Sequence, residues 1–240
     1  MGRWDDGVWN PSVPLPPGIR IPKLQVALEG TERAIDLINR VFADNNLNPL
    51  FEIAQSNNFS GIVSNILTDQ VSRVTPYSGG SERRGPDLFS RKYNASLEVK
   101  TTLRLGKGGE GHNGHGGWHV VGCFRVDPDS GAVRFVHVMV ADLVKFDVAP
   151  DDWAPVRETK HSGGSTGHSA TYSTTLKGTA KLRDGTVYRD TAVLTDRKLK
   201  AWVRSRRQVL SALPVPAYSP FYVSLGPTRL LAQAAPSSDA

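Results

Sequence analysis

Two apolar segments, residues 118–126 and 132–143, constrain this chain most, because the run DPDSG joins them. Two apolar runs joined by a turn of that composition form a β-hairpin, which is expected to complete a central sheet. Helices are expected upstream. Residues 31–42 place Ala34, Ile35, Leu37, Ile38, Val41 and Phe42 on one helical face behind Thr31, a suitable N-cap. Residues 58–74 do the same with Ile62, Val63, Ile66, Leu67, Val71 and Val74, ending before Pro76. Residues 1–22 hold Pro11, Pro14, Pro16, Pro17 and Pro22, too many for a helix. They are expected to form an extended arm, either disordered or wrapped around a partner subunit, with Trp4 and Trp9 pointing to docking.

The stretch RGPDLFSRKYNASLEVKTTL, residues 84–103, carries the chemistry. Alternation over residues 95–103 has the period of a half-buried strand, so Leu97 and Val99 point into a core while Glu98 and Lys100 share the other face. Residues 87–89 read as a short strand and SRKYN as a hairpin turn, which brings Asp87 beside Glu98. Two carboxylates so close repel, and a hard divalent ion such as Mg²⁺ is the usual compensation. Lys100 is placed to stabilise a pentavalent phosphorane or to help deprotonate the attacking water.

These residues resemble the PD-(D/E)xK nuclease superfamily: Pro86 and Asp87 match its PD, and Glu98, Val99 and Lys100 its ExK. The resemblance covers about twenty residues. It implies metal binding by Asp87, Glu98 and the backbone carbonyl of Val99, with Asp87, Glu98 and Lys100 catalytic. It also implies an α/β fold, a restriction-endonuclease-like core with a mixed central sheet flanked by helices, plus peripheral β-hairpins. Members often add a glutamate or glutamine from an upstream helix, for which Glu52 and Gln70 are candidates.

Other strings are weaker. Pro150, Asp151, Glu158 and Lys160 repeat the PD…ExK pattern in a proline-containing stretch without an apolar face, which reads as a loop. Residues 163–167 spell G-x-S-x-G, yet lack the strand and helix that a nucleophile elbow requires. The run GKGGEGHNGHGG, residues 106–117, is expected to be irregular. His112, His115 and His119 are possible transition-metal ligands without a cysteine pair. DNA contact by Lys107, His112, Asn113 and His115 is the better functional reading.

Residues 175–182 and 186–193 flank Arg183-Asp184-Gly185 and read as a basic hairpin. Residues 194–213 read as an amphipathic helix with a basic outer face. Arg104, Lys177, Arg183 and Arg189 complete the DNA-binding candidates.

The chain has 240 residues, a net charge of +6 and a pI near 9.5, which fit a polyanionic partner. Its one cysteine, Cys123, excludes an internal disulfide and reads as buried. No apolar run is long enough to span a membrane and no signal peptide is apparent, so a cytoplasmic location is expected. The sequons at Asn58 and Asn94 then carry no glycosylation reading. The expected organisation is an arm over 1–22, a single nuclease domain with inserted recognition loops over 23–231, and a flexible tail over 232–240.

The chain's size, with about 130 residues after the motif, favours a type II restriction enzyme: a homodimer that cuts double-stranded DNA at specific sites and leaves 5′-phosphates. The alternatives are a modification-dependent or structure-specific endonuclease of the same core, and a DNA-binding protein without catalysis.

Overall fold

The computed structural model describes residue 4 and residues 7–79, 86–107, 110–112, 114–145, 152–156 and 171–226. The amino-terminal part holds β1 (Gly7–Trp9), α1 (Ile21–Asp44), α2 (Leu50–Ile53), α3 (Ser56–Val74) and β2 (Ser78–Gly79). Then come β3 (Leu88–Ser90), β4 (Ala95–Thr102), β5 (Glu110–His112), β6 (Gly117–Val126) and β7 (Val133–Leu143). The carboxyl-terminal part holds β8 (Trp153–Pro155), β9 (Thr171–Thr174), α4 (Leu176–Asp184), β10 (Thr186–Asp190), α5 (Asp196–Gln208) and α6 (Tyr222–Leu225).

The fold is α/β. Its central mixed sheet has seven described strands in the order β1-β10-β7-β6-β4-β3-β2. The β4–β6 pair is parallel and every other pairing in it is antiparallel. The β6–β7 hairpin forms at the middle of the sheet, as its apolar pattern predicts. On one face Leu97, Val99, Val120, Val138 and Val140 pack with Leu28 and Ile35 of α1 and Val63 and Leu67 of α3. On the other, Val121, Cys123, Met139 and Ala141 pack with Trp153 of β8 and Leu182 of α4. Cys123 is buried there, and loss of hydration pushes its thiol pKa up to about 12. No helix among the described residues is long and apolar enough to cross a membrane.

Three expectations require correction. The first helix begins at Ile21, ten residues before Thr31, because Pro22 falls in the first turn, where its missing N–H costs nothing. Thr31 is buried inside that helix and donates its hydroxyl to the Ala27 carbonyl. The arm docks on its own chain: β1 pairs with β10, and Trp4 and Trp9 pack around Tyr188 with ring centroids 4.6 and 4.8 Å away.

The segment after Gly106 is not wholly irregular, since Glu110–His112 forms β5 and pairs with β9, which also pairs with β8. The basic hairpin does not form either. Its first arm is the helix α4, which Thr175 caps by accepting from the Gly178 N–H at 3.2 Å. Pro150, Asp151, Asn113 and residues 157–170 and 227–240 lie outside the described residues, so the second PD…ExK string and the tail do too.

Gly185 ends α4 where it meets the sheet, and a Cβ there would overlap the Val140 carbonyl oxygen. Gly185→Ala is therefore expected to cost about 3 kcal/mol, since backbone rather than a pliable side chain must move. Thermal denaturation checks this; an unchanged midpoint would contradict the close approach.

His137 is fully buried on β7. The Thr186 hydroxyl donates to the Arg183 carbonyl at 2.8 Å, so His137 Nε2, 3.0 Å from that oxygen, is the donor between them. Burial, with Arg183 and Arg189 adding to it, drives the imidazole pKa down to about 3. A depressed folded-state pKa means that the unfolded chain binds the extra proton first. Stability is thus complete above about pH 6.5 and declines as the pH falls towards 3, by about 1.4 kcal/mol per pH unit from this group. Denaturant melts of wild type and His137→Gln at pH 7 and pH 5 should show a shallower pH dependence in the variant.

Candidate functional site

The site is built on the β3–β4 hairpin. Leu97 and Val99 are fully buried against α1 and α3, so β4 is rigid and its polar face is fixed. Asp87 immediately precedes β3, and pairing of Leu88 with Leu97 carries it alongside Glu98 and Val99. The two acidic residues are laced together through backbone. The Val99 N–H donates to Asp87 Oδ2 at 2.9 Å, and the Asp87 N–H donates to Glu98 Oε2 at 3.2 Å.

Lys100 Nζ lies 2.6 Å from Glu98 Oε1 and 3.4 Å from Asp87 Oδ2. One cation thus touches both carboxylates. Burial alone would depress the Lys100 ammonium, but Glu98 and Asp87 outweigh it and hold its pKa above the ordinary lysine value. The Glu98 side chain is 6% exposed, whereas Asp87 and Lys100 are about a third and a quarter exposed. The cluster therefore opens to solvent from the Asp87 side. It lies in neither of the two larger described clefts, one lined by Asp36, Asn39 and Arg134 and the other by Trp118, Asp142 and Lys181.

Two residues join the site that the motif does not include. Ser64 of α3 donates to the Val99 carbonyl at 2.9 Å, an oxygen that has a second lone pair. His119 sits beside Glu98 in the β4–β6 register and is 2% exposed. Its Nδ1 lies 2.9 Å from the Gly117 carbonyl, an acceptor only, so Nδ1 carries the proton and Nε2 presents a lone pair. Burial holds the ring neutral, with a pKa lowered to about 4. Neither residue has a signal in the local string; alternation along β6 gives only the face on which His119 falls.

The upstream carboxamide and carboxylate candidates lie on α3 and α2. Gln70 packs against Gly30 of α1. Glu52 is exposed on α2.

Among the expected DNA donors, Arg104 is exposed where the chain leaves β4, and His115 is half-buried near His119. Lys107 and Lys177 are half-buried and engaged in other interactions. His112 contributes backbone to β5. Arg183 and Arg189 make contacts within the chain. Arg183 donates to the Gly106 carbonyl at 2.8 Å and to Ser205 at 3.1 Å while stacking on Trp202. Arg189 pairs with Asp196 at 3.0 Å.

Among the described residues no group of three or more histidine, cysteine or carboxylate side chains stands together as a metal site. The oxygen set at the hairpin is smaller: two carboxylates and the Val99 carbonyl. It suits a hard divalent ion that keeps several waters, and two carboxylates against one lysine leave a net negative charge for it. Comparison with protein-family models, curated proteins and solved structures finds no match to this chain.

Proposed function

We propose that the chain is a Mg²⁺-dependent endonuclease of the PD-(D/E)xK type, with a restriction-endonuclease-like core, that hydrolyses double-stranded DNA. The observation that carries this reading is the contact of one ammonium with both carboxylates. Asp87 and Glu98 are thereby within reach of a single cation, at a rigid strand, on a chain of net charge +6. The order of elements agrees, since α3 precedes the hairpin and packs on β4 through Ser64 and Ser60.

Asp87, Glu98 and the Val99 carbonyl would hold the ion, which when bound lowers the pKa of a coordinated water and polarises the phosphate. Asp87, the more exposed carboxylate, faces incoming substrate. Glu98 is held by the Asp87 N–H, and Ser64 fixes the direction of the Val99 carbonyl. Lys100 carries positive charge to the position where the phosphorane develops its own negative charge. Hydrolysis leaves 5′-phosphate and 3′-hydroxyl ends. Cutting both strands at a symmetric site is most simply done by a two-fold homodimer.

A second reading also draws on the closeness of these contacts. Lys100, Asp87 and Glu98 satisfy one another, as a purely structural ion triad in a non-catalytic DNA-binding protein would. Incubating unmodified and methylated plasmid with the protein, in Mg²⁺ or in EDTA, separates the readings. Discrete Mg²⁺-dependent fragments are expected, and the preferred plasmid tells ordinary from modification-dependent cutting. Retardation of both plasmids without cleavage would favour the non-catalytic reading.

A further inference from the structure

The helix α5 does not present its basic residues as the sequence suggests, because two of them are used internally. Arg206 is buried against Asp184, and Lys198 donates to the Val193 carbonyl at 2.7 Å. The remaining four, Arg197, Lys200, Arg204 and Arg207, are all exposed. Their spacing of three, four and three residues places them within about 80° of the helix circumference and along about 15 Å of its axis. None of the four forms an ion pair or hydrogen bond among the described residues.

The opposite side of the helix is anchored. Leu199, Trp202 and Val203 pack into a core with Leu194, Val215 and Phe221. Trp202 also lies 5.8 Å from the His137 ring and against Gly106, whose carbonyl Arg183 holds. The ridge is therefore fixed relative to residues 104–106, which directly continue the strand that carries Glu98 and Lys100. His137 lies on the sheet face bearing Met139 and Ala141, and Glu98 and Lys100 project from that same face, opposite Leu97 and Val99.

We infer that Arg197, Lys200, Arg204 and Arg207 form a phosphate-binding ridge for duplex DNA, which holds the substrate while the β3–β4 site acts on it. This assignment rests on the endonuclease reading. Duplex DNA presents about nine phosphates, on its two strands together, along 15 Å of its axis, a charge density that a patch of four cations can engage. Arginine and lysine contacts of this kind set affinity and register and carry no base information. The ridge thus supplies sequence-independent binding.

The test is fluorescence anisotropy with a labelled 20-base-pair duplex of arbitrary sequence, in EDTA, across a KCl series. Wild type is compared with R197Q/K200Q/R204Q/R207Q and with a matched control, K23Q/R33Q/R40Q/R73Q. The control removes the same charge from exposed positions on α1 and α3, the layer on the other sheet face. All substituted side chains are exposed, and melting curves verify folding.

The ridge variant is expected to lower the slope of log K against log[KCl] by about 3 to 4 and the affinity at 0.1 M KCl on the order of 10³-fold. The control should change either much less. Equal losses in both variants, or a wild type that does not bind the duplex, would overturn the assignment. So would loss confined to a single-stranded RNA of the same length. Plasmid cleavage in Mg²⁺ at low salt is read alongside. A wild type that binds through the ridge and never cuts refutes the endonuclease alone, whereas cutting with unchanged binding in the ridge variant refutes the ridge alone.

Discussion

Asp87→Asn is expected to reduce Mg²⁺-dependent DNA cleavage on the order of 10³-fold, comparable to removal of a single preorganised electrostatic group from other active sites. The substitution is chosen because it preserves shape. A carboxamide oxygen in place of the Asp87 carboxylate can still accept from the Val99 N–H, so the hairpin keeps its register, and the 2.6 Å Lys100–Glu98 pair remains. What is lost is one of two negative charges that offset a divalent cation. Since the Asp87 side chain is about a third exposed, its ion pair with Lys100 is solvent-screened and contributes little to folding, of the order of 1 kcal/mol or less. Cleavage rate and melting temperature, measured together, separate the two effects. A variant that cuts at the wild-type rate would remove Asp87 from the chemistry, and one that melts far below wild type would make the cluster structural.

The largest effect on stability is expected at Arg206 of α5. Arg206 is 2% exposed, and its Nε and Nη2 lie 3.0 and 2.9 Å from Asp184 Oδ2. It donates further to the carbonyls of Leu213 and Pro214 at 2.8 and 3.1 Å, while Ser219 donates to Asp184 at 2.7 Å. One side chain thus joins the end of α4, α5 and the segment that follows α5. Arg206→Ala would strand a buried carboxylate and two carbonyls, at a cost of about 3 to 5 kcal/mol. For a chain of this length that corresponds to a fall of roughly 10 °C in melting temperature. Arg206→Ala/Asp184→Ala should recover part of the loss, because the stranded charge is then gone. Equal melting of the single and double variants would show that the ion pair is not what holds these segments together.

The contrast between these two clusters explains what the sequence could reveal. The catalytic candidates were legible because their geometry is local: a period-two strand, a short turn and a preceding PD place all three side chains within one short hairpin. The β6–β7 hairpin was legible for the same reason. By contrast, Arg183 and Arg189 looked like groove-facing cations in a hairpin. Their partners are Gly106, 77 residues away, and an aspartate just beyond an unforeseen strand end. Arg206 looked like part of a basic outer face, yet it pairs inward.

The hairpin itself failed because Arg183-Asp184-Gly185 reads as a hairpin turn, whereas the Thr175 cap and a close approach at Gly178 to the Asp152 carbonyl favour α4. The start of α1 was hidden by reading Pro22 as a breaker, although proline is at ease in a first turn. Ser64 and His119 carry no motif, and only the packing of α3 and β6 on β4 brings them to the site.

The most direct test of the proposed chemistry is to run the cleavage reaction in ¹⁸O-enriched water with Mg²⁺ and weigh the product ends by mass spectrometry. Hydrolysis by a water held at Asp87, Glu98 and Val99 predicts one ¹⁸O in each new 5′-phosphate, none in the 3′-hydroxyl, and no product in EDTA. DNA left intact in Mg²⁺, or ends without ¹⁸O, would contradict it.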